Sequence, residues 1–263
     1  MAIIKDRLWN WGQLEGCHSS FTGLDCKMTP EEFAKVYGIE NAFIVSFAGN
    51  IKPPLDSFAK RFSCLKQVKW SVIGDASSPL PDSDHGDLDE ILNVLNVAGN
   101  ITGGVVDDFF SPERIKRFTP KVLKEIKARL NEKGLDFWCV LYNHQLDLNL
   151  QDYYDCFDGI SFWVWGAHNL PNYSEYMDKV FEIFKGKPIM SGIYLYDYLD
   201  QGSKPIDATL FKGQLDYCYN LLKKGELQGI IFCSSTVGDA DLESNKILKE
   251  FVALHGQEKI ENI

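Results

Sequence analysis

The chain has 263 residues, 45% of them hydrophobic and 24% charged, which is typical of a globular protein and not of a disordered or membrane-embedded one. A formal net charge of -10 disfavours nucleic acid and anionic membrane surfaces as partners. We therefore expect a small-molecule or oligosaccharide substrate that is neutral or cationic. Composition does not indicate an oligomeric state.

Localisation is predicted from the N-terminus and the cysteines. Charged residues begin at Lys5, too early for the apolar core of a signal peptide, which favours the cytoplasm; a secreted protein whose signal has been removed is the alternative. The seven cysteines form no Cys-x-x-Cys pair, and we expect them to be reduced core residues.

Short apolar runs alternate with amphipathic ones along the whole chain, which predicts strands alternating with helices. The eight predicted strands are residues 7–11, 42–47, 68–73, 103–107, 137–142, 159–164, 189–196 and 229–234. Helix signals lie between them, and the clearest are a capping box at Thr29-Pro30-Glu31-Glu32 and helices over residues 121–132, 174–184 and 208–224. The eighth helix should begin near Asp239 or Asp241. Residues 74–86 form a long loop after strand three, a candidate lid or wall.

Eight strand and helix pairs in a chain of this length predict a single (β/α)8 TIM barrel, one domain spanning residues 1–263. An open doubly wound sheet is the alternative. Such a sheet usually carries a glycine-rich phosphate loop after its first strand, and residues 11–17, Trp-Gly-Gln-Leu-Glu-Gly-Cys, do not match that pattern.

In a barrel of this kind, function concentrates at the carboxyl ends of the strands. Strand four ends in the acidic pair Asp107 and Asp108, and strand seven is followed by Asp197. Two carboxylates, one ionised and one held protonated, are what glycoside hydrolysis requires. We therefore predict Asp107 or Asp108, together with Asp197, as catalytic residues. Alternation along the strand predicts that only one of the adjacent pair faces the mouth of the barrel.

Aromatic and polar residues dominate the remaining strand ends, a combination that suits sugar rings and hydroxyls. The predicted substrate-binding residues are Trp9, Trp11, Glu15, His18, Asp75, Tyr142, His144, Gln145, Trp163, Trp165, Tyr194 and Tyr196.

Two other functions stay open on the same residues. In the first, Asp75, Asp107, Asp108 and His144, with Glu15, gather around Mg²⁺ or Mn²⁺ for sugar isomerisation or hydrolysis. In the second, the barrel binds a sugar without turning it over. The leading hypothesis needs no metal and no cofactor, and no His-Glu-x-x-His or cysteine-based metal motif occurs in the chain.

Several strand ends resemble those of a group of largely uncharacterised bacterial (β/α)8 proteins related to glycoside hydrolases. They are Val105-Val106-Asp107-Asp108-Phe109-Phe110, Val140-Leu141-Tyr142-Asn143-His144-Gln145, Ile160-Ser161-Phe162-Trp163 and residues 192–198. The resemblance implies a carbohydrate-active barrel.

The chain nevertheless departs from two glycosidase patterns. It offers aspartates where the large retaining clan has glutamates after strands four and seven, and it lacks the Asp-x-x-Asp-x-Asp-x-Glu run of chitinase-like barrels. These departures leave open an inverting enzyme, a different chemistry or an inactive relative.

Overall fold

The computed structural model describes residues 2–198 and 202–260. Its eight parallel strands close into a barrel in which each strand pairs with its neighbours in chain order and the last pairs with the first. The strands are β1 (Leu8–Gly12), β2 (Asn41–Ile44), β3 (Gln67–Ile73), β4 (Ile101–Val106), β5 (Asp136–Tyr142), β6 (Gly159–Trp163), β7 (Ile189–Tyr194) and β8 (Gly229–Cys233). The predicted TIM barrel and its eight strands are confirmed, and the doubly wound sheet is wrong.

Helices follow the strands on the outside of the barrel. They are α1 (Ser19–Thr22), α2 (Pro30–Tyr37), α3 (Asp56–Phe62), α4 (Leu88–Asn93), α5 (Pro112–Arg117), α6 (Pro120–Asn131), α7 (Tyr173–Ile183), α8 (Ala208–Lys223) and α9 (Glu243–His255). Within the described residues, no helix is long and apolar enough to cross a membrane.

Two helix starts can be compared with their local sequence signals. The capping box before α2 forms as predicted, because the Thr29 side chain accepts from the Glu32 amide at 3.1 Å and the Glu32 carboxylate accepts from the Thr29 amide at 2.9 Å. The last helix begins at Glu243, two residues after Asp241 and therefore close to the predicted start. Asp239 instead accepts a hydrogen bond from the Lys27 amide at 2.8 Å, which ties this residue to the β1–α2 loop.

Four tryptophans fill the inside of the barrel. Glycines on neighbouring strands make room for two of these rings: a Cβ on Gly159 would lie 2.6 Å from Trp138, and one on Gly192 would lie 2.0 Å from Trp163. The interior is therefore a packed core and not a pore. Its buried apolar members are Trp9, Trp11, Phe43, Val45, Val105, Trp138, Val140, Trp163, Met190, Ile231 and Cys233.

Charged side chains occupy the interior at the amino-terminal ends of the strands, which we call the floor of the barrel. The Lys69 ammonium lies 2.5 and 2.7 Å from the two carboxylate oxygens of Asp136, and it also lies 5.2 Å from the ring centres of Trp9 and Trp138. The carboxylate and the two rings compensate for removing the lysine charge from water.

The cysteines are free thiols, as expected, but not all of them belong to the core. Cys26, Cys139, Cys156, Cys218 and Cys233 are buried, whereas Cys17 is half-buried and Cys64 is exposed. Cys64 lies just beyond the end of α3, at a position that turns toward solvent.

Candidate active site

The end of β4 carries the acidic pair, and the chain changes direction between its two members. The strand ends at Val106, and Asp108 has a φ of 45°, in the left-handed region that aspartate enters more readily than most residues. The alternation of a regular strand therefore no longer applies to this pair. The statement that only one of the two carboxylates faces the mouth rests on that alternation and stays a prediction.

Asp108 is half-buried, and both of its carboxylate oxygens are held. Oδ1 accepts a hydrogen bond from the Tyr142 hydroxyl at 2.8 Å, and Oδ2 accepts one from the Ala76 amide at 2.9 Å. The carboxylate thus bridges the end of β5 and the loop that follows β3. This bridge fixes its position at the mouth.

Asp107 is almost completely buried, with 4% of its surface exposed. Its Oδ1 accepts a hydrogen bond from the Asp108 amide at 2.8 Å. Burial, followed by the neighbouring negative charges of Asp108 and Asp75, holds the pKa of Asp107 well above its usual range. A carboxyl group in this setting keeps its proton at a pH at which an ordinary aspartate has lost it.

Arg114 is the nearest buried cation, yet its guanidinium binds main-chain oxygens. Nη1 donates to the carbonyls of Gly74 and Asp107, each at 2.6 Å, and Nη2 donates to the carbonyl of Asp75. Arg114 lowers the pKa of Asp107 only as a lesser influence. Its main effect is to fasten the end of β3 to the end of β4.

Asp75 is buried near the acidic pair, but its side chain closes a turn. Its Oδ1 accepts from the Ser78 hydroxyl at 2.7 Å and from the Ala48 amide at 3.2 Å, and its Oδ2 accepts from the Ser77 hydroxyl at 2.6 Å. These contacts organise the first part of the 74–86 loop, whose Ala76 amide donates to Asp108. Asp75 acts on the site through its charge.

A group of half-buried or exposed aromatic side chains lines the rim next to Asp108. The Tyr142 and His144 rings are stacked with centres 5.5 Å apart, and the Trp165 ring lies 6.1 Å from Tyr142 and 5.6 Å from Tyr194. Burial, followed by nearby acidic groups, raises the pKa of both tyrosines well above the usual range. Both phenols therefore remain hydrogen-bond donors.

Three of the tryptophans predicted to bind sugar lie in the packed interior instead. Trp9, Trp11 and Trp163 are 4%, 5% and 2% exposed, and the Trp11 and Trp163 rings meet edge to face at 5.1 Å. Their positions do not fit a sugar-binding wall, because each one points into the barrel. Of the predicted tryptophans, Trp165 is the one at the rim.

Two predicted site residues after β7, Asp197 and Tyr196, are buried and hydrogen-bonded to main-chain groups. Asp197 is buried, and its Oδ1 accepts from the Ala167 amide at 3.1 Å; the same side chain borders a cavity of about 10 Å³, lined also by Trp165 and Tyr194. That volume is close to the minimum that one water molecule needs, about 10–15 Å³, and is too small for a sugar ring. Tyr196 is buried, and its hydroxyl contacts the Thr22 carbonyl at 3.4 Å.

His18 belongs to a hydroxyl cluster that sequence reasoning did not foresee as a unit. Its Nδ1 lies 3.0 Å from Thr236 Oγ1, 3.1 Å from the Tyr198 hydroxyl and 3.2 Å from Ser234 Oγ. Burial lowers the pKa of His18 to about 4. The imidazole is thus neutral near pH 7. The three hydroxyls come from the ends of β7 and β8, and no sequence spacing relates them to His18.

Two predicted binding residues are engaged elsewhere. Glu15 pairs with Arg61 of α3 at 2.9 Å, outside the rim. Gln145 accepts from the Tyr142 amide at 3.0 Å and closes the turn after β5. Within residues 2–198 and 202–260, no three His, Cys, Asp or Glu side chains are placed to hold a metal ion. The gathered Mg²⁺ or Mn²⁺ site therefore does not form among these residues.

Comparison with known proteins gives the fold. No protein-family model and no curated protein matches the chain. The catalytic domain of a chitinase from Pyrococcus furiosus superposes with a TM-score of 0.62 at 12% identity, over 96% of this chain and 97% of that one.

Two further solved structures share the barrel. The spore cortex-lytic enzyme SleL of Bacillus megaterium gives a TM-score of 0.56 at 14% identity, over 98% of this chain and 75% of that one. A tryptophan synthase complex from Pyrococcus furiosus gives 0.52 at 11% identity, over 95% and 97%. Since these proteins carry different chemistries on one barrel, the likeness describes the architecture, and function depends on the site.

Proposed function

We propose that the protein is a glycoside hydrolase that acts on a neutral sugar or glycan at the mouth of the barrel. The observation that carries this proposal is the carboxylate pair Asp107 and Asp108. One carboxyl is buried with a raised pKa, and the other is held by Tyr142 at an aromatic rim. Two adjacent acids in such different environments suit a division into proton donor and base.

The environments of the two acids suggest their roles. Asp107, which keeps its proton, is the general acid that protonates the leaving-group oxygen. Asp108, whose oxygens both accept hydrogen bonds, is the base or the group that stabilises positive charge on the sugar ring. Tyr142 orients Asp108, and Trp165 with Tyr194 offers apolar faces to the ring. No step in this scheme requires a metal or a cofactor.

The neighbours with the same fold favour one substrate class. Among them are chitinases from Pyrococcus furiosus and Ostrinia furnacalis and a spore cortex-lytic enzyme. Chitin oligosaccharides and cortex glycan fragments are therefore the first substrates to try. The acids that this chain offers directly after β4 are Asp107 and Asp108.

The test is hydrolysis of a broad panel of aryl glycosides and chitin oligosaccharides by the wild type and by Asp107→Asn, Asp108→Asn and Asp197→Asn. We expect the first two substitutions to lower kcat at least about 100-fold, the range for losing a general acid or base, while the far-ultraviolet spectrum stays unchanged. Asp197→Asn decides whether the acid after β7 takes part, as the sequence predicts. Turnover that survives all three changes would contradict the proposal.

A non-catalytic sugar-binding barrel is the second candidate, and the burial of Asp107 favours it. A carboxyl that is 4% exposed needs local opening before it can touch a substrate. This candidate predicts saturable sugar binding by calorimetry with no product formed. Loss of binding in Asp108→Asn, together with its retention in Asp107→Asn, would support it.

A further inference from the structure

The floor of the barrel contains a cavity of about 210 Å³, at the end opposite the proposed active site. Its apolar walls are Trp9, Trp138 and Met190. This volume lies below the about 300–1,000 Å³ of sites for drug-sized ligands. It therefore suits a small organic molecule, with an apolar part that faces the two indoles and the methionine.

The charged residues that line this cavity are Asp6, Arg7, Lys69 and Asp136. Lys69 pairs with Asp136 at 2.5 Å, and Lys66 pairs with Asp6 at 2.7 Å. Arg7 also lines the cavity, and no salt bridge to it occurs among the described residues, although Asp6 lies near enough to feel its charge. Both carboxylates of the lining are thus paired with lysines, Asp136 with Lys69 and Asp6 with Lys66 beside the cavity, which leaves the Arg7 guanidinium available to an anionic ligand.

We propose that this cavity is a binding site for a small monocarboxylate with an apolar body. The planar guanidinium of Arg7 matches a carboxylate with two parallel hydrogen bonds. Gln67 and Gln228, which also line the cavity, offer amide donors beside it. The apolar part of the ligand packs against Trp138 and Met190, so that both charge and apolar contact contribute to binding.

The natural reporter of this site is the indole of Trp138. Its Nε1 is buried and has no hydrogen-bond partner in the part of the chain that the structure describes, so its N–H resonance should respond to small changes nearby. The experiment labels the full chain with ¹⁵N-tryptophan and titrates benzoate. Benzamide, which has the same shape without the charge, is the matched control. The Trp138 and Trp9 resonances are assigned from Trp138→Phe and Trp9→Phe.

We expect benzoate to move the Trp138 and Trp9 resonances in a saturable way, with Trp165 at the opposite end unmoved. Benzamide should bind at least about tenfold more weakly, a difference that corresponds to about 1.4 kcal/mol. Arg7→Gln should weaken benzoate binding by a similar factor. Arg7→Lys should weaken it by less, because lysine keeps the positive charge but cannot form two parallel hydrogen bonds. Arg129→Gln, at an exposed pair on α6, should leave the affinity unchanged.

Three results would overturn the proposal. They are equal binding of benzoate and benzamide, unchanged affinity in Arg7→Gln, and a shift confined to Trp165. The absence of a saturable shift up to about 10 mM, which corresponds to a binding energy of only about 3 kcal/mol, would do the same. None of these results depends on whether the mouth hydrolyses a glycoside.

Discussion

Each end of the barrel interior holds an aspartate, but the surroundings of the two carboxyl groups are opposite in charge. At the floor, Asp136 meets the Lys69 ammonium at 2.5 Å, between two indole rings. At the mouth, Asp107 lies beside two other carboxylates, and the closest arginine binds main-chain carbonyls instead. The carboxyl group at the floor is thus paired with a buried cation, whereas the one at the mouth is not.

This difference distinguishes a charged group that is paired to fix the packing from one that is left unpaired at a functional site. A compensated ion pair fixes the packing of the strands and has a small net effect on stability when intact. A buried carboxyl group without a counter-charge lowers the stability of the fold. Its pKa is perturbed, and groups with perturbed pKa values are concentrated at functional sites. The contrast supports a catalytic role for Asp107 more directly than the shared barrel fold does.

The largest expected effect comes from breaking the pair at the floor. Asp136→Asn strands the Lys69 cation, whose side chain is 4% exposed, and should lower the free energy of unfolding by about 2–3 kcal/mol, toward the low end for buried pairs because Asp136 itself is 39% exposed. Urea denaturation measures this change.

The matched control is Asp89→Asn, which removes the exposed partner of Arg129 and should cost less than about 1 kcal/mol. Adding Lys69→Met to Asp136→Asn should recover much of the loss. If Asp136→Asn and Asp89→Asn lowered the free energy of unfolding equally, the pair at the floor would contribute no more to stability than an exposed pair does.

His18 should make the mouth sensitive to acid. Its pKa falls to about 4 in the folded state from about 6.5 unfolded, so the unfolded state binds more protons between these values and stability is lost as the pH falls through this window. His18→Gln keeps an acceptor for the hydroxyl cluster. Between pH 7 and 4.5, this variant should lose about 2 kcal/mol less of its free energy of unfolding than the wild type does. Thermal unfolding from pH 7 to 4.5 measures it, and parallel curves would show that another group is responsible.

The smallest expected effect is a gain in stability. The pKa of Asp107 is raised in the folded state, so its favourable contribution is complete at low pH and is lost as the pH rises through and beyond the unfolded value. Asp107→Asn should therefore raise Tm at pH 7 by about 2–4 °C, equivalent to about 1 kcal/mol in a domain of this size. The gain should vanish near pH 3. A lower Tm at pH 7 would mean that this carboxylate is stabilised by a contact that the asparagine cannot make.

The fold could be predicted because its signals are local and repeated. Each strand is a short apolar run, and signals such as the capping box at Thr29 mark helix boundaries without knowledge of their neighbours. The site could be predicted only as a set of strand ends. Alternation places Trp9, Trp11 and Trp163 on the inner face of the barrel, but it does not say how deep they lie.

Two local exceptions account for the remaining differences. The left-handed conformation of Asp108 breaks the strand alternation on which the prediction of a single mouth-facing carboxylate depended. No sequence pattern indicates this conformation. The cluster around His18 joins three loops that are far apart in the chain. Such contacts follow from closure of the barrel, which brings the first and last strands together after more than 200 residues.

The Arg114 contacts bear on how this site could change over evolutionary time. The guanidinium donates to the main-chain carbonyls of Gly74, Asp75 and Asp107. Because every residue type supplies a carbonyl, these hydrogen bonds do not depend on the side chains of the loops that they join. The 74–86 loop could therefore diversify in sequence while the acidic pair stays in place. Rim loops exchanged between relatives could then alter substrate choice in one step, provided that the arginine is retained.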